Sequence, residues 1–157
     1  MRTGFRKTSL FVLTAVTALL VTGCGSILDQ ARGEPVATPT NFNGLVEHLA
    51  AKDFSVANVV SGDPGCSDHA LVPMAIAFAL SGGGLDKPIQ ARVYRFKSDE
   101  SFQKLRASVD ICAAEWISDR STLLMIDASP YVLVTEGVVQ EGAVDGIRAA
   151  VREAAGE

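Results

Sequence analysis

The chain reads as an α+β protein: an antiparallel sheet of about five strands with helices packed mainly on one face, in the order α-β-β-β-α-β-β-α. Three observations lead there. Three stretches repeat apolar residues at steps of three and four, the spacing of one helix face. Five short runs are rich in β-branched and aromatic residues and are bounded by Gly, Pro, Asp and Ser, as strands are. Neighbouring strands are joined by turn chemistry, which favours hairpins and antiparallel pairing with helices set around the sheet. No internal repeat or low-complexity block is present.

The chain begins with a segment that stands outside this pattern. Arg2, Arg6 and Lys7 give a positive start, and residues 10–21 form an apolar block broken only by Thr14 and Thr17. Thr22, Gly23 and Cys24 close it with small residues. Charge, apolar block and small residues in that order make a secretory signal. A helix over the block covers about 18 Å, well short of the ~30 Å of a bilayer core. The separation of Arg2 from Arg6 gives no twin-arginine signal. The ending Val21-Thr22-Gly23-Cys24 resembles the lipobox of bacterial lipoproteins, a resemblance confined to the first 24 or so residues. It implies cleavage between Gly23 and Cys24, a thioether lipid on Cys24 and acylation of the new amino group. The product would then be held by acyl chains on the extracytoplasmic side of the bacterial cell envelope. By the same resemblance, Gly25 rather than Asp after the cysteine favours the outer membrane where there is one.

Removal of residues 1–23 leaves 134 residues, enough for one ordinary domain with its own core. It also takes the formal net charge from −4 to −7, because the leader holds three cationic side chains and no acidic one. A negative product lacks the basic footprint that nucleic-acid binding requires. Electrostatic adhesion to anionic headgroups is disfavoured too, so attachment falls to the acyl chains at about 0.8 kcal/mol per buried CH₂. With Cys24 lipidated, Cys66 and Cys112 remain as a pair, and an exported pair most simply forms a disulfide. The loop it closes, about 47 residues, corresponds to roughly 4 kcal/mol in the chain-entropy treatment.

Residues 24–40 carry Gly, Pro, Thr and scattered charge without periodicity and read as a tether, with an r.m.s. reach of roughly 20–24 Å. The folded domain is expected over residues 41–157. Phe42, Leu45, Val46, Leu49 and Ala50 form one helical face, with Thr40, Asn41 or Asn43 available as cap. Residues 54–60 follow as a strand. Residues 61–65 are turn residues throughout, and Cys66 to His69 fall in a loop. Residues 72–80 form a strand whose start is marked by Pro73. Three glycines, residues 82–84, connect it to a strand over residues 89–96. Ser98 caps a helix with Asp99 and Glu100 in its first turn, where the dipole favours them, and Glu100 and Lys104 stand as an i, i+4 pair. Its apolar face runs Phe102, Leu105, Val109, Cys112, Trp116, which points Cys112 inward. Residues 122–126 and 131–135 form a hairpin whose two-faced apolarity places both strands in mid-sheet. A last helix spans about residues 140–154, with Gly142 and Gly146 each costing about 1 kcal/mol relative to Ala, so packing must hold it.

Motifs that carry chemistry are few. Cys66-x-x-His69 with Cys112 makes half of a zinc motif, with Asp68 a possible fourth ligand and no second pair following; the disulfide uses the same cysteines. Ser67-Asp68-His69 has triad composition without triad spacing, and no Gly-x-Ser-x-Gly elbow occurs. Glycines 82–84 lack the setting of a phosphate loop. Arg92, Arg95 and Lys97 form the one local concentration of positive charge, a candidate patch for an anionic envelope polymer or an acidic envelope protein, unless neighbouring acids pair with them. Trp116 continues the apolar helix face and is expected in the core. The sequence thus points to a lipid-anchored, non-catalytic binding or accessory module with no cofactor. A structural or assembly role would need an exposed apolar surface, for which residues 71–80 are the candidate, and an enzymatic role would need His48 or His69 in a pocket with acidic neighbours.

Overall fold

The computed structural model describes residues 42–157. The expected leader, the Gly23–Cys24 cleavage and lipidation site and the tether lie outside the described residues. The elements run α1 (Asn43–Ala50), β1 (Phe54–Ser61), β2 (Ala75–Gly82), β3 (Ile89–Arg95), α2 (Asp99–Trp116), β4 (Leu123–Ala128), β5 (Tyr131–Glu136) and α3 (Glu141–Ala155). The order α-β-β-β-α-β-β-α is therefore that expected, around one five-stranded sheet ordered β1-β2-β3-β5-β4. Every adjacent pair is antiparallel. No helix among the described residues is long and apolar enough to cross a membrane.

Strand pleating sends alternate residues to opposite faces, and each face collects its own core. On one face Phe42, Leu45 and Leu49 of the α1 segment and Ile147 and Val151 of α3 pack with Ile76, Phe78, Val93 and Leu133. On the other, Val109, Cys112 and Ala113 of α2 pack with Tyr94, Phe96, Val132 and Val134. Two helices on one face and one on the other give three layers with the sheet in the middle. Gly146 of α3 is the close-approach point of the first face: a Cβ there would stand 3.1 Å from the Phe54 ring, at the limit of contact. The helix-weakening glycine is thus the one that makes room for the Phe54 ring against α3.

Local rules account for most boundaries. Ser98 caps α2 by accepting from the Ser101 amide, and the Ser101 hydroxyl accepts from the Ser98 amide in return. Glu100 and Lys104 make no ion pair. Pro73 lies in a short 3₁₀ turn, Val72–Met74, so β2 starts at Ala75 rather than at residue 72. The α1 start differs from expectation. Its N-cap position is Phe42, with no side-chain cap bond; the ring is 2% exposed and lies 6.3 Å from the Tyr131 ring, so packing rather than a polar cap fixes this helix end.

The mid-sheet placement of the second hairpin holds for β5 alone. β5 is buried along nearly its whole length between β3 and β4, whereas β4 is a sheet edge. β4 is apolar on both faces because helices cover both, with Met125 facing α2 and Ile126 facing α3; among the described residues no strand lies beside its outer backbone edge.

Candidate functional site

The cysteine pair organises the α2 face. Cys66 and Cys112 are bonded to each other, with Cα atoms 5.2 Å apart, and tie the β1–β2 loop to α2. That loop feeds Leu71 into the core at 0% exposure. Tyr94, rising from β3, donates its hydroxyl to the Pro64 carbonyl at 2.7 Å. Cys112 Sγ, which carries no proton in the disulfide, rests 2.9 Å from the same carbonyl oxygen. Burial pushes the Tyr94 phenol up to about 12, against the pull of the Arg92 guanidinium. Arg92 stacks on Trp116, 4.3 Å from the ring centroid, and its Nη2 donates to Asp63 Oδ2 at 3.1 Å. Gly65, at φ +80°, passes through this cluster where a Cβ would meet Arg92 Nε at 2.6 Å and Trp116 Cδ1 at 2.7 Å. The cluster is a clamp on the stapled loop.

The zinc reading loses its ligands for a chemical reason: sulfurs joined in a disulfide cannot serve as thiolates. His69 is exposed, and no group of three His, Cys, Asp or Glu fit to hold a metal occurs among the described residues. Ser67, Asp68 and His69 form no relay either. Asp68 accepts from the Ala70 amide and the Ser67 amide donates to Glu115. His48 lies on the α1 flank and meets Glu153 at 3.1 Å, beside Lys52. The Glu153 carboxyl is lowered, chiefly by Lys52. These contacts join α1 to α3 at the surface.

The three cations expected to form a patch are not one surface. Arg92 and Arg95 are three apart on β3, so the pleat sends them to opposite faces. Arg92 is held by Asp63 and Trp116 on the α2 face. Arg95 follows Ala91 and Val93 on the α1/α3 face and stands opposite Tyr131 in the ladder. Its Nε is shielded from solvent and has no hydrogen-bond partner. Lys97 lies beyond the strand end and is exposed.

The α1/α3 face carries the more open feature. Alpha1 has only eight residues and leaves a groove between itself and the first three strands. The groove is shallow, about 30 Å³, and every side chain lining it is apolar. Phe42, Leu45 and Leu49 form the helix wall, and Ile76, Phe78 and Val93 the floor. Val46 and Val59 stand at the rim, 38% and 41% exposed. Val59 is there because of a bulge. In unbroken alternation it would share the face of Ala57, away from the groove. The β1–β2 register shifts between Ala57 and Val60, and Asn58 takes a left-handed conformation at φ 54°. The extra residue turns Val59 back over the groove, which is how bulges re-aim side chains. β1 is also an edge strand, exposed from Ala57 to Ser61.

Sequence reasoning places Val46 on the core face of α1 and Val59 in an ordinary strand, and so misses the groove. The available signal was the run Asn58-Val59-Val60, where two adjacent valines break strand alternation beside an αL-tolerant asparagine. Residues 71–80, the expected assembly surface, contain no exposed residue, and Leu71, Ile76, Phe78 and Leu80 are core. Comparison with protein-family models, curated proteins and solved structures finds no match to this chain.

Proposed function

We propose that the protein is a lipid-anchored bacterial cell-envelope protein, and that its domain is a non-catalytic module binding an envelope component through the groove between α1 and β1. Anchoring rests on the charged start, the apolar block and the lipobox-like Val21-Thr22-Gly23-Cys24. The acyl chains on Cys24 hold the domain at the outer membrane, where the cell has one, on its extracytoplasmic side.

The observation that carries the binding reading is the groove itself: shallow, wholly apolar in its lining, and rimmed by the exposed Val46 of α1 and Val59 of the edge strand β1. Such a surface offers apolar contact and shape, and it presents no acid, base or nucleophile to a bound molecule. The polar clusters elsewhere are engaged with one another: Arg92 with Asp63, and Arg106 with Asp110 and Asp127.

Intact mass of the protein extracted from bacterial membranes tests the anchor. The expected species begins at Cys24 and carries the mass of a diacylglyceryl group and a further acyl chain; Cys24→Ser abolishes both the added mass and membrane retention. An unmodified Cys24 in the membrane-extracted protein contradicts the anchoring half of the proposal.

A further inference from the structure

We infer that β1 is the seam of a symmetric dimer, in which the strand pairs antiparallel with β1 of a second copy of this chain. This goes beyond the binding reading above, because it rests on the backbone edge and on Val60, which faces away from the groove. The two edges of the sheet are finished differently. At β4, Arg106 Nε donates to Asp127 Oδ1 at 2.7 Å and the same guanidinium holds Asp110, so charge guards that edge. At β1, residues 54–62 carry no charged side chain and no proline, and among the described residues no strand lies beside the outer edge. The N–H and C=O groups that such an edge presents are a template for a further strand. The bulge at Asn58 interrupts the ladder once. Beyond it Val60 and Ser61 stay in register with Ala77 and Ile76.

The valines fix the direction of approach. Val59 shares the face of Ile76 and Phe78. Val60 stands opposite Ala77, which lies between those two in β2, and so points to the other face. Val59 and Val60 are 41% and 53% exposed. A molecule lying on either face covers one of them, whereas a strand added in the plane of the sheet flanks both. Charge and closure name the occupant. A neutral edge has nothing with which to select a charged segment. In a chain of net charge −4 it is where a second copy meets no like charge across the seam. Antiparallel pairing of a strand with itself is two-fold symmetric, so each copy gives and receives the same contacts. The axis runs normal to the sheet, and both α1 helices lie on one face with Val46 and Val59 toward the seam. The doubled sheet ends at a β4 on either side, where Asp127 and Arg106 oppose further addition, so assembly closes at two. The seam is short, and the shared membrane proposed above supplies the effective concentration it needs.

The test measures backbone amide exchange and cross-linking of the lipidated full-length protein in phosphatidylcholine vesicles at low and high surface density. On crowding, exchange is expected to slow about tenfold at alternate amides of residues 55–61 and to stay the same in residues 123–128. Val60→Lys, at an exposed position, removes the slowing, and Val60→Thr keeps it. With the native disulfide intact, a short bismaleimide joins two copies through Ser61→Cys and not through Glu100→Cys on α2. Exchange in β1 that ignores density overturns the proposal, as does equal cross-linking at the two positions. Slowing that survives Val60→Lys places the contact elsewhere and overturns it as well. Protection of β1 already complete at low density gives the edge to another segment of the same chain, which also overturns the pairing of copies.

Discussion

The two faces of the sheet are floored by similar apolar residues and are closed in opposite ways. Over the α2 face an 18-residue helix, a disulfide and a clamped loop seal the core, and Val132 and Val134 have no exposure. Over the other face an eight-residue helix stops short, α3 covers the β5–β4 side, and Val46 and Val59 stay in contact with water. Gly65, Tyr94, Arg92 and Trp116 act on the closed face to fix one arrangement. Asn58 acts on the open face to turn a valine outward over a groove. Exposed valine over a groove adds little to the stability of the fold.

Substitutions sharpen this contrast. The largest effect belongs to the staple. Replacing Cys66 and Cys112 together by Ala is expected to cost roughly 4 kcal/mol from loop closure, read as a lower urea midpoint. A loss below 1 kcal/mol would move the stabilising role elsewhere. Gly65→Ala comes next. Its added Cβ meets Arg92 and Trp116 inside 3 Å at a positive φ, so about 2–3 kcal/mol is expected from overpacking and left-handed strain.

Tyr94 makes the closed face sensitive to alkali. Its phenol is raised to about 12 in the folded chain by burial, against ~10 in the unfolded chain. The unfolded chain therefore gives up this proton first. The stability is whole below about pH 10 and is lost as pH climbs to about 12, by about 2–3 kcal/mol in all. Absorbance at 295 nm in a Tyr131→Phe background should show the folded phenol still protonated at pH 11, with urea midpoints falling from pH 9 to pH 11. Tyr94→Phe should remove that portion of the decline. The smallest effect belongs to the open face: Val59→Ser should change stability by under ~0.5 kcal/mol, a midpoint shift within error.

Much of this architecture is written locally in the chain. The Phe42–Leu45–Leu49 and Val109–Cys112 spacings place the helices, and Ser98 marks the α2 start. The cysteine pair follows from residue count once Cys24 is set aside. The features that depend on neighbours distant in sequence are less legible. Two-faced apolarity in residues 122–126 reports helices above and below, and it cannot distinguish the β4 edge from mid-sheet. Arg92 and Arg95 look like one patch because they are close in sequence, while strand parity separates them. Asp63, Arg92's partner, comes from a loop 29 residues away. The groove depends on how far α1 reaches and on one extra residue in β1, neither of which alters the apolar pattern enough to announce a site.

The contrast between faces is tested most directly by methyl-selective NMR of the full-length protein in nanodiscs with a soluble paramagnetic agent added. Strong methyl broadening is predicted at Val46 and Val59, with Val132 and Val134 protected. Equal broadening at all four valines, or broadening of Val132 and Val134 with Val46 and Val59 protected, would contradict the contrast between an open and a closed face.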